Sequence, residues 1–270
     1  MQKYEFEENI VDVSLFRKDE LTFSVLAAIV NSKSRLVITD HKRYIICHSC
    51  APYPVWIWVP DDVTNDELDI VWKITKSEIP FHNGYGYNTK YCVADYFIKR
   101  SREEQINLEI TMNLLTYECE EPIPPSKTSE GCISTPSSED IEDITDFIWL
   151  FKQDIGIDME TKEECIYKAN ALVQEGNLYL WKNSRHENVA MCSYGADGRL
   201  GKVMHVYTKS NERRKGYAKN LVYEVTKLIK TKGLLPVLYT DADYAASNEC
   251  YKRIGYVEKG RLCTIATLKQ

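Results

Sequence analysis

Along the second half of the chain, apolar positions recur with periods that name their elements. Ile141, Ile144, Phe147, Ile148 and Phe151 share one helical face over 139–152, as do Cys165, Ile166, Ala169, Leu172 and Val173 over 160–175. Three apolar runs follow at 178–181, 189–194 and 203–207. They are too short for helices and are separated by turn-forming residues at 183–188 and 196–198, so they predict successive strands. Ala218, Leu221, Val222, Val225, Leu228 and Ile229 return to helical spacing over 216–232. A strand at 237–240, a short helix at 246–254 and two closing strands near 255–258 and 262–268 complete the order α-α-β-β-β-α-β-α-β-β. The first half is less regular. Its pattern predicts a buried helix at 21–30, strands near 35–39, 43–48 and 54–59, helices at 66–76 and 94–104, and a closing strand at 109–117. The order loosely parallels the second half, with no sequence repeat that proves duplication.

Between the halves, residues 121–131 are rich in Pro, Ser and charge and carry no period, which is the composition of a linker. The expected division is therefore a domain over 1–125, a linker over 126–136 and a second domain over 137–270. Both domains belong to the α/β (α+β) class, with helices flanking a mixed sheet.

The densest chemistry lies at 206–218, where a predicted strand ends in a basic, glycine-containing turn that opens onto the long helix. Amides at a helix N-terminus have no intrahelical partners and sit at the positive end of the helix dipole, an arrangement that suits a pyrophosphate. Arg213, Arg214 and Lys215 add charge, and Gly216 removes a side chain from the approach to the backbone. The bulk numbers sharpen this. Net charge is −6, which argues against a nucleic-acid surface, yet 202–232 holds nine basic side chains against Glu212 and Glu224 alone. The alternative reading of that segment is a solvated basic helix face.

Other features exclude classes. No apolar run approaches the ~20 residues of a membrane span, and the acidic segment 1–9 has no signal-peptide character, so a cytoplasmic address is expected. The nine cysteines are expected to be reduced thiols. Cys47-His48-Ser49-Cys50 resembles half of a zinc site, but no second Cys/His pair follows, and no metal is expected. The oligomeric state stays open between monomer and homodimer.

The strand–turn–helix at 206–218 resembles the acetyl-CoA-binding motif of GNAT-type N-acetyltransferases, R/Q-x-x-G-x-G/A, here Arg213-x-x-Gly216-x-Ala218. The segment from Asn248 through Tyr251 to Gly255-Tyr256 resembles that family's N-x-x-Y-x-x-x-G-F/Y stretch, and the element order over 139–268 is similar to its order. The resemblance implies acetyl-CoA as cosubstrate and a primary amine of a small molecule, amino acid or peptide as acceptor. It also implies that the backbone of Val206 and Thr208 pairs with pantetheine. The amides of Arg213, Arg214, Lys215, Gly216, Tyr217 and Ala218 then wrap the pyrophosphate, and Asn248 contacts the pantetheine arm. Tyr251 takes the place of the acid that protonates the departing thiolate, since a phenol of pKa ~10 stays protonated at neutral pH. For the base, the fourth strand offers His205, equally readable as a core or solvent-facing histidine. Asp241 and Asp243 either steer a cationic amine or serve as turn and cap residues. Arg214 departs from the family pattern, where a small residue is common.

The first 120 or so residues resemble, more weakly, the first domain of two-domain GNAT proteins, including glycine N-acyltransferase-like ones. The residues are those of 81–97, with Gly84 and Gly86, and of 114–119. This half lacks R-x-x-G-x-A and is expected to be a degenerate GNAT-like domain without CoA. Trp56, Trp58, Tyr85 and Tyr87 are either lining of an acceptor pocket or core.

Overall fold

The computed structural model describes residues 13–32, 36–81, 85–155 and 161–267. The first half runs α1 (Val13–Phe16), α2 (Ser24–Val30), β1 (Leu36–Thr39), β2 (Ile45–His48), β3 (Val55–Trp58), α3 (Asn65–Glu78), β4 (Tyr87–Thr89), α4 (Tyr91–Glu103) and β5 (Leu108–Glu118). The second runs β6 (Cys132–Ser134), α5 (Ile141–Ile155), α6 (Lys162–Glu175), β7 (Leu178–Lys182), β8 (Asn188–Asp197) and β9 (Leu200–Thr208). It continues through α7 (Tyr217–Thr231), β10 (Leu235–Asp241), α8 (Ala245–Ile254) and β11 (Val257–Thr267). This is the mixed α/β class read from the pattern.

The described residues form two compact units. One holds the chain up to Thr116, Tyr239–Tyr244 and the residues from Lys259 on; the other holds Tyr117–Leu238 and Ala245–Glu258. The units are thus interleaved in sequence.

In the first unit β1, β2 and β3 pair antiparallel, β3 and β4 pair parallel, and β4 pairs antiparallel with β11. Its main core gathers Trp72, Phe81, Tyr87 and Phe97 around β3, α3 and α4, and a second cluster joins α2 to Trp56 and Trp58. The four aromatics considered for a pocket divide accordingly. Trp56, Trp58 and Tyr87 are buried, with Trp58 Nε1 donating to Asp19 (2.8 Å) and the Tyr87 hydroxyl to the Ile79 carbonyl (3.0 Å), and Tyr85 packs against the same core. Gly86 has a packing reason: a Cβ there meets Thr264 Cγ2 at 2.4 Å. His82, Asn83 and Gly84 lie outside the described residues.

In the second unit β6, β7, β8 and β9 pair antiparallel in that order, and β10 pairs parallel with β9. α5 and α6 bury Ile144, Phe147, Ile148, Cys165 and Ala169 with Leu178, Leu180, Met191 and Tyr207 of the strands. α6 starts at a Thr161–Glu164 capping box and ends at Gly176 in the left-handed region. α7 carries Leu221, Val222, Val225 and Ile229 on its buried face.

Three details differ from the pattern. The closing strands expected near 255–258 and 262–268 are one strand, β11. β4 and β6 have three residues each, below the length at which alternation is legible. The segment read as a linker is bonded into the second unit. Ile123 N–H donates to the Ile254 carbonyl (2.7 Å), Trp181 Nε1 to the Glu130 carbonyl (2.9 Å), and β6 adds to the sheet through β7.

Candidate functional site

The site begins with an irregularity in β9. Its register with β8 passes from Met191↔Tyr207 to Ser193↔Met204, so Cys192 faces two residues, His205 and Val206. That is a β-bulge, which leaves one residue outside the ladder and re-aims the side chains beyond it. His205 takes up the distortion at φ 50°. An added Cβ on Gly201 would meet Ile229 of α7, whereas the Tyr207 ring lies 5.6 Å from Phe147 of α5. Residues 201 and 207 share a face in an unbroken strand; the extra residue turns Tyr207 to the α5 side instead. β9 and β10 pair only from Leu235↔Leu200 to Val237↔Lys202, while β9 continues to Thr208.

His205 is half-buried, and its Nδ1 lies 2.7 Å from Ser193 Oγ. Burial pushes the imidazole below its ordinary basicity, and the nearby Lys168 and Lys152 add to the effect, so the ring is neutral at pH 7. Ser193 Oγ also donates to the Met204 carbonyl at 3.4 Å. With the hydroxyl proton on that carbonyl, Ser193 accepts from Nδ1–H, and Nε2 carries the free lone pair. The sequence reading missed Ser193. Its only signal is position, one residue past the bulge on the partner strand. His205 itself carried a weak signal, since histidine is enriched at positive φ.

From Thr208 the chain makes a short 3-10 turn (Ser210–Glu212) and reaches α7 through Gly216. Arg214 and Gly216 both adopt left-handed backbone, at φ 65° and 89°. Gly216 is the N-cap of α7 and offers no side-chain cap bond to the first amides of this 15-residue helix. The basic side chains are disposed unequally. Arg213 reaches back: its guanidinium pairs with Asp154, lies 5.8 Å from the Tyr207 ring centre, and donates through Nε to the Thr208 carbonyl (3.2 Å). Lys215 pairs with the buried Glu212 at 2.8 Å. Arg214 is exposed. Gly216 is required for its φ and for a neighbour on the protein side, since a Cβ would lie 2.7 Å from Ser129 Oγ. Tyr217 buries its ring and donates its hydroxyl to Glu130 (2.9 Å); burial first, then the Glu130 bond, pushes the phenol up to about 12. Ala218 follows in the first turn of the helix.

The third component is α8. Asn248 and Tyr251, three residues apart on one helical face, are both buried. The Tyr251 ring lies 6.5 Å from Tyr117 and 5.9 Å from Tyr256. Cys192, opposite the bulge, is within electrostatic reach of Cys250 and Tyr256, which brings bulge and α8 into one neighbourhood. Burial raises both thiols, Cys250 to about 11, so neither is a thiolate nucleophile at neutral pH. Val206 is half-buried on β9. Next to it, Thr208 Oγ1 is buried with no hydrogen-bond partner among the described residues. A buried hydroxyl in that state is costly. Asp241 and Asp243 belong to the other unit, where Asp241 accepts from the Asp243 amide (2.8 Å) and Asp243 from Asn113 (2.9 Å), a turn role. Among the described residues no group of three His, Cys, Asp or Glu is placed to hold a metal, and no helix is long and apolar enough to cross a membrane.

The second unit thus holds a bulged strand, a basic helix start without a side-chain cap and a following helix with an Asn-x-x-Tyr pair, the frame of the candidate site. Residues 183–264 match the family model described as FR47-like protein, which spans that frame. The fold is that of the GNAT superfamily. An acetyltransferase of the GNAT family from Colwellia psychrerythraea superposes at TM-score 0.60 and 12% identity, covering 98% of this chain and 99% of its own. A GCN5-related N-acetyltransferase from Sphaerobacter thermophilus gives 0.62 and 13%, covering 84% and 81%. One from Kribbella flavida gives 0.60 and 14%, covering 95% and 96%. No curated protein sequence matches the chain. These matches show the GNAT fold and do not single out the narrower glycine N-acyltransferase-like class.

Proposed function

We propose that this GNAT-fold protein transfers an acetyl group from acetyl-CoA to a primary amine of a small molecule, amino acid or peptide. The observation that carries the reading is the start of α7, an uncapped end of a long helix entered through left-handed Gly216 just after the bulged strand. Such an end suits the pyrophosphate of CoA, through the amides of Arg213 to Ala218 more than through side chains, because Arg213 and Lys215 already hold carboxylates. Arg214, exposed beside them, supplies the uncommitted charge. Along β9 the backbone of Val206 and Thr208 accepts the pantetheine arm, and Asn248 meets it from α8. The buried Thr208 hydroxyl finds a partner there.

The chemistry then needs little more than placement. The amine nitrogen attacks the thioester carbonyl, a C–N bond forms, the C–S bond breaks and CoA leaves as the thiolate. Holding the two reactants together contributes up to ~7–11 kcal/mol in well-oriented cases. Amides of the bulge stabilise the oxyanion. Neutral His205 takes the amine proton through Nε2, and Tyr251 gives its phenolic proton to the thiolate. The protein works in the cytoplasm with a soluble amine and without nucleic acid.

The test is free-thiol release from acetyl-CoA across a panel of amines, amino acids and peptides, with product masses. Amine-dependent release and an acetylated product are expected. CoA binding without release for any acceptor makes the protein an acyl-CoA sensor instead, and release only from longer or aryl acyl-CoA changes the donor.

A further inference from the structure

We infer that Ser129, in the segment leading to β6, is a positioning residue that fixes the orientation of the Lys215–Gly216 peptide at the mouth of the turn. The inference rests on the CoA reading above and deepens it by assigning part of that turn's geometry to a residue outside the motif. Ser129 Oγ donates to the Lys215 carbonyl at 2.9 Å and accepts from Asn220 Nδ2 at 3.0 Å. Asn220 Nδ2 also reaches the Gly216 carbonyl at 3.1 Å and the Lys127 carbonyl at 3.5 Å. A trans peptide is planar, with its carbonyl and amide pointing in opposite directions. Holding the Lys215 carbonyl toward Ser129 therefore aims the Gly216 amide away from the strap, to the side left open for an anion. Gly216, on the far side of that peptide, is left-handed and has no side chain to resist rotation, so without that bond the peptide is free to flip.

The strap itself is anchored well enough to act. The Glu130 carbonyl accepts from Trp181 Nε1, and its carboxylate accepts from Tyr217 (2.9 Å) and Ser184 (3.0 Å). Gly131, at φ 90°, lets the strap press on β7, because a Cβ there would lie 1.9 Å from the Lys182 carbonyl oxygen. A segment with linker composition is thereby held against the turn by residues from β7, α7 and the β7–β8 loop.

Calorimetric titration with CoA, on the wild type, Ser129→Ala and Ser129→Thr, tests this, together with turnover of acetyl-CoA and of acetyl-pantetheine, which lacks the pyrophosphate. Ser129→Ala is expected to weaken CoA about fivefold to tenfold, the effect of one lost orienting hydrogen bond. The KM for acetyl-CoA rises in step, while kcat and acetyl-pantetheine turnover are unchanged, and Ser129→Thr restores the affinity by keeping the hydroxyl. Unchanged CoA affinity in Ser129→Ala overturns the inference and leaves the CoA reading standing. A loss that Ser129→Thr does not restore, or that extends equally to acetyl-pantetheine, also overturns it, since the strap then acts through packing alone. No CoA binding by the wild type overturns the CoA reading and this inference together.

Discussion

After β3 the chain enters α3 through Thr64, whose hydroxyl accepts from the Glu67 amide while the Glu67 carboxylate accepts from the Thr64 amide. Arg43 bonds both Glu67 and Asp62 there, and that bonding, with the Thr64 amide, pulls the Glu67 carboxyl down to about 2. After β9 the chain enters α7 through Gly216, with no side-chain cap and with basic residues on the turn. One helix start is filled by the protein's own anion; at the other the N-cap residue offers no side chain, and it is there that the proposed function places the pyrophosphate. Two further contrasts run the same way. β2 and β3 pair in unbroken register, whereas β8 and β9 carry the bulge at His205 and Val206. In α4 the fourth and seventh residues are Ala94 and Phe97, both in the core; in α8 they are Asn248 and Tyr251. The two halves share an order of elements, and at three matched places the first closes on itself while the second has an open helix start, a bulge and a polar Asn-x-x-Tyr pair. Fold and site are thus separable in this chain.

The contrast at the second helix gives the largest expected effect. Tyr251→Phe, which makes α8 resemble α4, lowers kcat by roughly 10²–10⁴ if the phenol is the acid, with CoA affinity unchanged by calorimetry. Equal loss of both makes Tyr251 a packing residue like Phe97. At the bulge, His205→Gln lowers kcat/KM by about 10² and abolishes the acid limb of the pH profile. Burial depresses the His205 pKa, so the neutral, active form dominates above it. Activity in the wild type therefore rises with pH through a value below ~6.5, and the stability contributed by the neutral ring is likewise lost as pH falls through that value. A wild-type profile with no such limb removes His205 as base.

Smaller effects probe the helix starts. Gly216→Asp places a carboxylate at the start of α7, as Glu67 does for α3, and weakens CoA by about 30-fold or more through dipole competition and like charge, beyond the loss in Gly216→Ala, which carries only the strain of a Cβ against Ser129. Unchanged binding moves the pyrophosphate elsewhere. Thr64→Ala removes a cap and costs about 1 kcal/mol of stability in denaturant unfolding, with CoA affinity untouched; an effect on CoA breaks the contrast between the two ends.

Much of this was legible in the residues. The strand–turn–helix at 206–218 and the pair Asn248 and Tyr251 stand out because period, charge and spacing agree there. The bulge does not, because one extra residue in a strand leaves the apolar pattern almost unchanged while reversing which face Tyr207 serves. The bonding of the strap is not legible either, for a different reason. Composition reports what a segment does for itself, and residues 127–131 are ordered by Trp181, Tyr217 and Asn220 from elsewhere. Likewise Arg213 reads as a phosphate ligand by charge, and only its pairing with Asp154 and the Thr208 carbonyl turns it into a brace for the turn.

The two helix starts can be compared in a single sample. In a 1H–15N correlation spectrum titrated with CoA, the account predicts the largest shifts at the amides of Lys215, Gly216, Tyr217 and Ala218, with those of Asn65, Asp66 and Glu67 unmoved. Shifts at the start of α3 in place of α7, or none at either end at millimolar CoA, would contradict it.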